Sequence, residues 1–276
     1  MRVTTPWLLL ACVPLLLAAD ACEPEPDPSG RSTVDRVDDM GGYQVHLIYA
    51  VPSDGVDREL DLDGSLDRSW LAINRWMWDQ TGGSELRLDT FEGQADVSFA
   101  ELPRTDAAYA DYGVYLRNEL EDDLEDLGFT HPQKIYVIYY EGTNAEVCGG
   151  AAWPPALMGT MMAIYLQGQP PGSVTCDSAG FSSDGLTMNY LEWAGLHDTL
   201  HVLGIVPTAA PNHGYSGHVT DDPRDLMYSG SQPWQPTILD IDQDDYYGHG
   251  VEGRPDLARS AFLDPSPAGA ELPPGW

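Results

Sequence analysis

The sequence predicts an α/β (α+β) fold in which helices pack on one mixed, twisted sheet. Segments with strand-like patterns alternate with segments whose apolar residues recur at helical spacing. The central segments 135–140 and 161–166 are uninterrupted apolar runs, which is typical of strands covered on both faces. Since 42% of the 276 residues are hydrophobic, the chain can bury a core. We assign this domain to residues 42–250.

The first half of the domain contains three strands and a helix. Residues 43–50 are rich in β-branched and aromatic types and end at a Pro-Ser-Asp-Gly turn, which predicts a strand. Residues 85–91 and 95–100 alternate in polarity and predict two further strands. Between the first strand and these two, a helix that ends at two glycines is predicted from an apolar stripe: Leu66, Trp70, Ile73 and Met77.

The second half begins with a helix and ends in a tail. This helix ends before Gly128, and its predicted buried side is Tyr112, Leu116, Leu120, Leu124 and Leu127. The strands 135–140 and 161–166 follow, separated by a Gly/Pro-rich segment that we expect to be a loop. Residues 251–276 are rich in proline and glycine and are predicted to form an irregular tail.

The N-terminus has the pattern of a signal peptide over residues 1–21. An arginine at position 2 precedes an apolar run from Trp7 to Ala19, and Ala-Asp-Ala follows. The arrangement resembles a bacterial lipoprotein signal, with Cys22 as the lipidated residue, and plain secretion is the alternative. Residues 22–41 then form an acidic, Pro-rich spacer. We therefore expect an extracytoplasmic protein that is secreted or lipid-anchored to a bacterial membrane.

Two further observations agree with export and limit the partners. Cys148 and Cys176 are an even pair for an oxidising compartment, which predicts one disulfide. The net charge of −31 would repel nucleic acid and acidic lipid, so we expect no nucleic-acid partner. Membrane contact is expected only through a lipid on Cys22.

The predicted third helix carries the strongest chemical signal. His197 and His201 are four residues apart, so both imidazoles project from one helix face and can reach one tetrahedral Zn²⁺. Asp198, beside the first histidine, could take a proton from water at such a metal. Gly204 permits a sharp exit from the helix. Two histidines at this spacing are more often surface residues, but His213 and His218 follow closely along the chain.

Residues 197–230 resemble the metzincin metalloproteases, whose pattern is His-Glu-x-x-His-x-x-Gly-x-x-His followed by a Met-turn. The turn is represented here by Asp-Leu-Met227-Tyr228-Ser-Gly. This segment looks more like an extracellular bacterial branch of zincins, in which a long Pro-containing loop ends in Gly-His before the turn. The resemblance implies a metzincin-like fold with an active-site helix, zinc, and hydrolysis of peptide bonds in a peptide or protein substrate. It also implies that Met227 forms a hydrophobic floor and that Tyr228 could assist the oxyanion, with packing as the alternative role of Tyr228.

The sequence departs from the family pattern at two positions. Asp198 replaces the catalytic glutamate and is one methylene shorter, which can slow proton transfer. Pro207 stands where the third ligand is expected, so that ligand must come from later in the loop. We predict His218, with a neighbouring acid holding its other ring nitrogen. His213 is the main alternative ligand, and Asp221 or Asp222 are weaker ones. If Asp198 does not support turnover, the alternative function is a zinc-binding pseudoprotease acting as a surface binding module.

Two aspartate-rich stretches could bind Ca²⁺ in addition to the zinc. They are residues 61–67 and residues 240–245, in which carboxylates alternate with other residues. Neither stretch matches the EF-hand loop, and turn-forming or helix-capping aspartates are the favoured interpretation. We predict no role for His249 beyond structure.

Overall fold

The structure is a computed structural model and describes residues 30–276. The predicted signal peptide at 1–21, the lipidation candidate Cys22 and the first residues of the spacer lie outside the described residues. Within residues 30–276, no helix combines the length and apolar character needed to cross a bilayer.

Nine strands and four α-helices are present in the described part of the chain. The strands are β1 (Gln44–Val51), β2 (Glu85–Leu86), β3 (Thr90–Phe91), β4 (Gln94–Ala95), β5 (Val97–Glu101), β6 (Lys134–Tyr140), β7 (Gly149–Trp153), β8 (Leu157–Tyr165) and β9 (Leu263–Asp264). The helices are α1 (Ser65–Thr81), α2 (Asp106–Ala110), α3 (Leu116–Asp126) and α4 (Tyr190–Val202).

One five-stranded, mostly parallel sheet organises the molecule, which confirms the predicted fold class. Its order is β5-β1-β6-β8-β7, and only β7 runs antiparallel to its neighbour. Alternate residues of β1 and β6 face two separate apolar cores, because α1 and α4 cover one face of the sheet while α2 and α3 cover the other. This double covering explains why both strands read as continuous apolar segments.

Two local predictions were wrong. β7 lies in the segment predicted to be a loop, because its Gly-Gly-Ala-Ala-Trp sequence lacks the side chains that identify strands. It pairs with β8 at the sheet edge and so gains its order from a neighbour. In the second helix, Tyr112 and Leu127 are 43% and 49% exposed, since α3 spans only Leu116–Asp126.

Both flanking segments pack on the domain. In residues 30–41, Asp35 and Asp38 form ion pairs with the buried Lys134 at 2.5 and 2.7 Å. In residues 251–276, β9 pairs with β2 and Phe262 is fully buried, although most of this segment lacks regular structure. A segment without helix or strand can therefore still be part of the core.

Cys148 and Cys176 form a disulfide, as the sequence predicts. The bond joins the residue just before β7 to the connection that follows β8, across 28 positions of the chain. It therefore holds the edge strand and a long loop together.

We expect the double change Cys148→Ser and Cys176→Ser to lower the free energy of unfolding by about 3 kcal/mol. The reason is that the open chain gains the conformational entropy of a loop of this length when it unfolds. Urea unfolding followed by tryptophan fluorescence measures this, with the reduced wild-type protein as the matched control. Equal unfolding midpoints for oxidised wild type and the double variant would contradict the prediction.

Candidate metal centre

Helix α4 is anchored firmly at its N-terminus. Asn189 and Glu192 form a capping box, and the backbone N–H of Asn189 donates to Glu192 Oε2 at 2.8 Å. The buried Glu192 also accepts from Ser69 Oγ of α1 at 2.7 Å, which links the two helices. Gly204 ends the helical segment with φ +67, and a Cβ there would lie 2.5 Å from Pro274. Glycine is required at that position both for its conformation and for space.

Three histidine side chains converge at one point. The Nε2 atom of His197 lies 3.1 Å from that of His201 and 3.2 Å from that of His218, and the remaining pair is 3.3 Å apart. Tetrahedral Zn²⁺ with nitrogen ligands at about 2.0–2.1 Å separates those nitrogens by about 3.3 Å. The three donors therefore fit a zinc ion in number, element and spacing.

Backbone carbonyls set the tautomers of two of these rings. His197 Nδ1 donates to the Leu226 carbonyl at 2.8 Å, and His218 Nδ1 donates to the Tyr215 carbonyl at 3.1 Å. Each bond leaves the Nε2 lone pair free to face the centre of the cluster, as metal-binding histidines require. The prediction that a neighbouring acid would hold His218 was wrong, because the turn brings a backbone carbonyl closer.

Burial keeps the cluster uncharged. It lowers the pKa of His197 to about 4, and the nearby His218 adds to that effect. Burial likewise lowers the pKa of His201 well below its usual value and lowers the pKa of His218. Neutral imidazole is the form that binds a metal, so these rings are ready to do so at neutral pH.

A tight turn brings His218 to the cluster and leaves His213 outside it. Gly217 adopts φ +77, and a Cβ there would lie 2.7 Å from Trp153 Nε1 and 2.9 Å from His201 Nδ1. Only glycine can pass this closely beneath the site. His213 instead stacks on Trp153, with ring centroids 6.1 Å apart.

The segment around Met227 forms a buried turn below the histidines. Its anchor is Asp225, a residue that we did not predict, which accepts from Met227 N at 2.7 Å and from Tyr246 Oη at 2.9 Å. Its second oxygen accepts from Ile241 N at 3.0 Å. Burial raises the pKa of Asp225 to about 8, because its effect is larger than the lowering effect of these hydrogen bonds. A short polar side chain just before the methionine was the available signal, but its burial depends on the fold.

Asp198 lies beside the histidines in a cleft of about 430 Å³, which His197, His218 and Tyr228 also line. Burial raises the pKa of Asp198 to about 7. Its Oδ2 atom lies against β7, 2.3 Å from the point where a Cβ on Gly149 would stand. Tyr228 lines the same cleft, and its hydroxyl accepts from Gln232 N at 3.1 Å.

Trp234 is a second residue that sequence reasoning missed. Its ring packs edge-on against His197 with centroids 5.5 Å apart, and it lines the cleft. Its Nε1 donates to the Leu226 carbonyl at 3.2 Å, the same oxygen that holds His197. Trp234 thus supports the orientation of one predicted ligand.

The two aspartate-rich stretches have different surroundings. In residues 61–67, Asp61 pairs with Arg31, Asp63 accepts from Ser65 N, and Asp67 accepts from Ala95 N. Asp63 therefore has the turn-forming role favoured by the sequence, whereas Asp61 and Asp67 hold segments about 30 residues away along the chain. In residues 240–245, Asp240, Asp244 and Asp245 bring their carboxylates within 4.8 Å of one another.

The chain has weak likeness to three solved structures. Archaemetzincin from Methanopyrus kandleri is 17% identical with a TM-score of 0.36, and the match covers 72% of this chain and 87% of that one. Two crystal forms of OgpA from Akkermansia muciniphila are 16% and 13% identical with TM-scores of 0.43 and 0.38. They cover 80% and 65% of this chain, and the matches span 63% and 52% of those chains. All three TM-scores are below 0.5.

No protein-family model matches the chain. No curated protein matches it either.

We expect His218→Ala to lose zinc and His213→Ala to keep it. The first change removes one of three converging nitrogens, whereas His213 lies outside the cluster. Metal analysis of the purified variants after dialysis against a weak chelator measures the zinc per chain. Zinc loss in His213→Ala alone would show that the ligand assignment is wrong.

We expect Asp225→Ala to lower the free energy of unfolding by about 3 kcal/mol or more. Two backbone N–H groups and a tyrosine hydroxyl would each lose a buried acceptor, at about 1–3 kcal/mol per group. Asp222→Ala is the matched control, because its carboxylate contacts Arg224 at the surface, where ion pairs contribute little to stability. Similar losses in both variants, measured by denaturant unfolding, would argue against a special role for Asp225.

Proposed function

We propose that the chain is a zinc-dependent endopeptidase that hydrolyses peptide bonds in a peptide or protein substrate. The observation that carries the proposal is the convergence of three histidine Nε2 atoms at one point, where His197 and His218 line one cleft together with Asp198. His197, His201 and His218 would hold the ion, and Met227 would pack beneath them.

The chain's own residues account for binding and proton transfer. Zinc, when bound, supplies a Lewis acid for the scissile carbonyl and lowers the pKa of water toward about 7. Asp198 accepts a proton from the attacking water and passes it to the leaving amine. Burial raises the pKa of this carboxyl to about 7 in the metal-free protein, and a zinc ion beside it would favour the deprotonated form that accepts a proton.

The edge of the sheet offers a place for the substrate backbone. β7 is the last strand of the sheet order and its first residue, Gly149, lines the cleft. An extended peptide can add to such an edge through main-chain hydrogen bonds. The peptide would then lie beside Asp198 and the three histidines.

The position of Asp198 favours one alternative, a zinc-binding pseudoprotease that acts as a binding module. Its short side chain places Oδ2 against β7, 2.3 Å from the point where a Cβ on Gly149 would stand. A carboxylate held there has less reach toward a substrate than the glutamate of the pattern it resembles. The two functions share the metal centre and differ only in turnover.

We also propose export, with the chain secreted or lipid-anchored through Cys22. The support is the sequence of residues 1–22 alone. Metabolic labelling with a fatty acid tests the anchor, with Cys22→Ala as the control. If the wild-type protein is not labelled, the anchor is excluded and plain secretion is the remaining form of export.

We expect the purified protein to cleave casein, and a chelator to abolish that cleavage. Asp198→Ala should reduce the rate at least about 100-fold while zinc is retained, because the general base is lost. Asp198→Glu should raise the rate, since it restores the reach of the carboxylate. Zinc content of each variant is the control for binding.

A wild-type protein that carries zinc but cleaves neither casein nor a peptide library would contradict the endopeptidase. If Asp198→Glu were also inactive, the pseudoprotease would be the better description. Absence of stoichiometric zinc would exclude both functions.

A further inference from the structure

A second cluster of charged side chains lies outside the zinc centre, in the loop after the Met227 turn. The carboxylates of Asp240, Asp244 and Asp245 approach within 4.8 Å of one another. Asp240 is 4% exposed and Asp245 is fully buried. Three acids at this spacing, two of them buried, repel one another unless a cation lies between them.

Asp240 supplies an independent indication of a ligand. Its Oδ2 atom accepts from the backbone N–H groups of Tyr246 and Tyr247 at 2.7 and 2.6 Å. Its Oδ1 atom is buried and has no hydrogen-bond partner among residues 30–276. A buried carboxylate oxygen without a donor is costly, and it is a natural ligand for a metal ion.

The protein does not neutralise the cluster itself. Within residues 30–276, no Lys, Arg or His side chain forms an ion pair with any of the three acids. The Arg254 guanidinium lies close to Asp244 and donates to its backbone carbonyl at 2.5 Å. Burial raises the pKa of the neighbouring Asp221, and the charges of Asp245 and Asp244 raise it further, so a fourth carboxyl group lies within reach of their field.

We propose that Asp240, Asp244 and Asp245 bind one Ca²⁺ ion. All available ligand atoms are oxygens, which suits a hard cation and excludes a site built for zinc. Two oxygens bound to Ca²⁺ at about 2.3–2.6 Å lie at most about 5 Å apart, which the 4.8 Å cluster satisfies. Calcium also accepts irregular geometry and completes its shell with water, whereas Mg²⁺ demands a near-ideal octahedron.

The ion would join two segments that hold the zinc centre. Asp245 accepts from the backbone N–H and side-chain amide of Asn212 at 2.8 and 3.0 Å, in the loop that leads to His218. On the other side, Tyr246 donates to Asp225 below the histidines. Bound calcium would therefore fix the loop carrying His218 to the turn containing Met227. This inference concerns a second metal and goes beyond the proposed endopeptidase.

Calorimetric titration of CaCl₂ into calcium-free, zinc-loaded protein tests the site. We expect one Ca²⁺ per chain with a dissociation constant of about 10⁻³ M or tighter, the range of extracellular sites. Asp240→Asn and Asp245→Asn should weaken binding at least about tenfold, because each removes a charged ligand. Asp242→Asn is the matched control, since it makes the same change in the same loop at an exposed residue.

Thermal unfolding gives a second readout that does not depend on peptidase activity. Saturating calcium should raise Tm for the wild type and for Asp242→Asn, and not for Asp240→Asn. Circular dichroism checks that each variant folds, and Asp244→Asn, at the less buried position, replaces any variant that does not. MgCl₂ at the same concentration should give a smaller shift.

The proposal is overturned if the wild type shows neither binding heat nor a Tm shift at about 10 mM calcium, well above the expected dissociation constant. It is also overturned if Asp242→Asn loses binding as much as Asp240→Asn. His218→Ala should still bind calcium, so failure of the zinc-dependent function and failure of the calcium site are distinguishable.

Discussion

Three imidazole Nε2 atoms held within 3.3 Å of one another constrain the elements around them. Two of the rings come from one helix, so that helix must sit firmly on the sheet. The third comes from a loop that must return across the same point. Backbone carbonyls of Leu226 and Tyr215 orient two of the rings, which couples the turn below the site and the loop above it to the same geometry.

Buried carboxylates, and not ion pairs, support this centre. Glu192 caps and anchors the helix, Asp225 anchors the turn, and Asp240 organises the loop that follows. Each accepts hydrogen bonds from backbone N–H groups, which lets a strongly acidic chain use acids as internal acceptors. The buried cation Lys134 is used elsewhere, where it fixes the N-terminal segment through Asp35 and Asp38.

Local periodicity was sufficient to predict most of the sheet and all of the long helices. The apolar stripe that includes Trp70 and Met77 is buried, and the uninterrupted strand 135–140 is the central β6. β7 could not be predicted, because a Gly/Ala segment has no pattern of its own and is ordered by pairing with β8. The second predicted helix was extended too far at both ends, because an apolar stripe does not show where tertiary packing stops.

The pairing of His197 with His201 follows from the amino-acid sequence alone, because a spacing of four residues on a helix places both rings on one face whatever surrounds them. The acidic residue beside the first histidine, Asp198, and the disulfide between Cys148 and Cys176 could likewise be predicted from the sequence. Only the tertiary structure placed His218 in the cluster and His213 outside it, because the path of a loop depends on packing and on where glycine permits close approach. The burial of Asp225 and the contact of Trp234 with His197 were likewise decided by segments that meet only in the folded chain, where burial changes hydrogen bonding and charge.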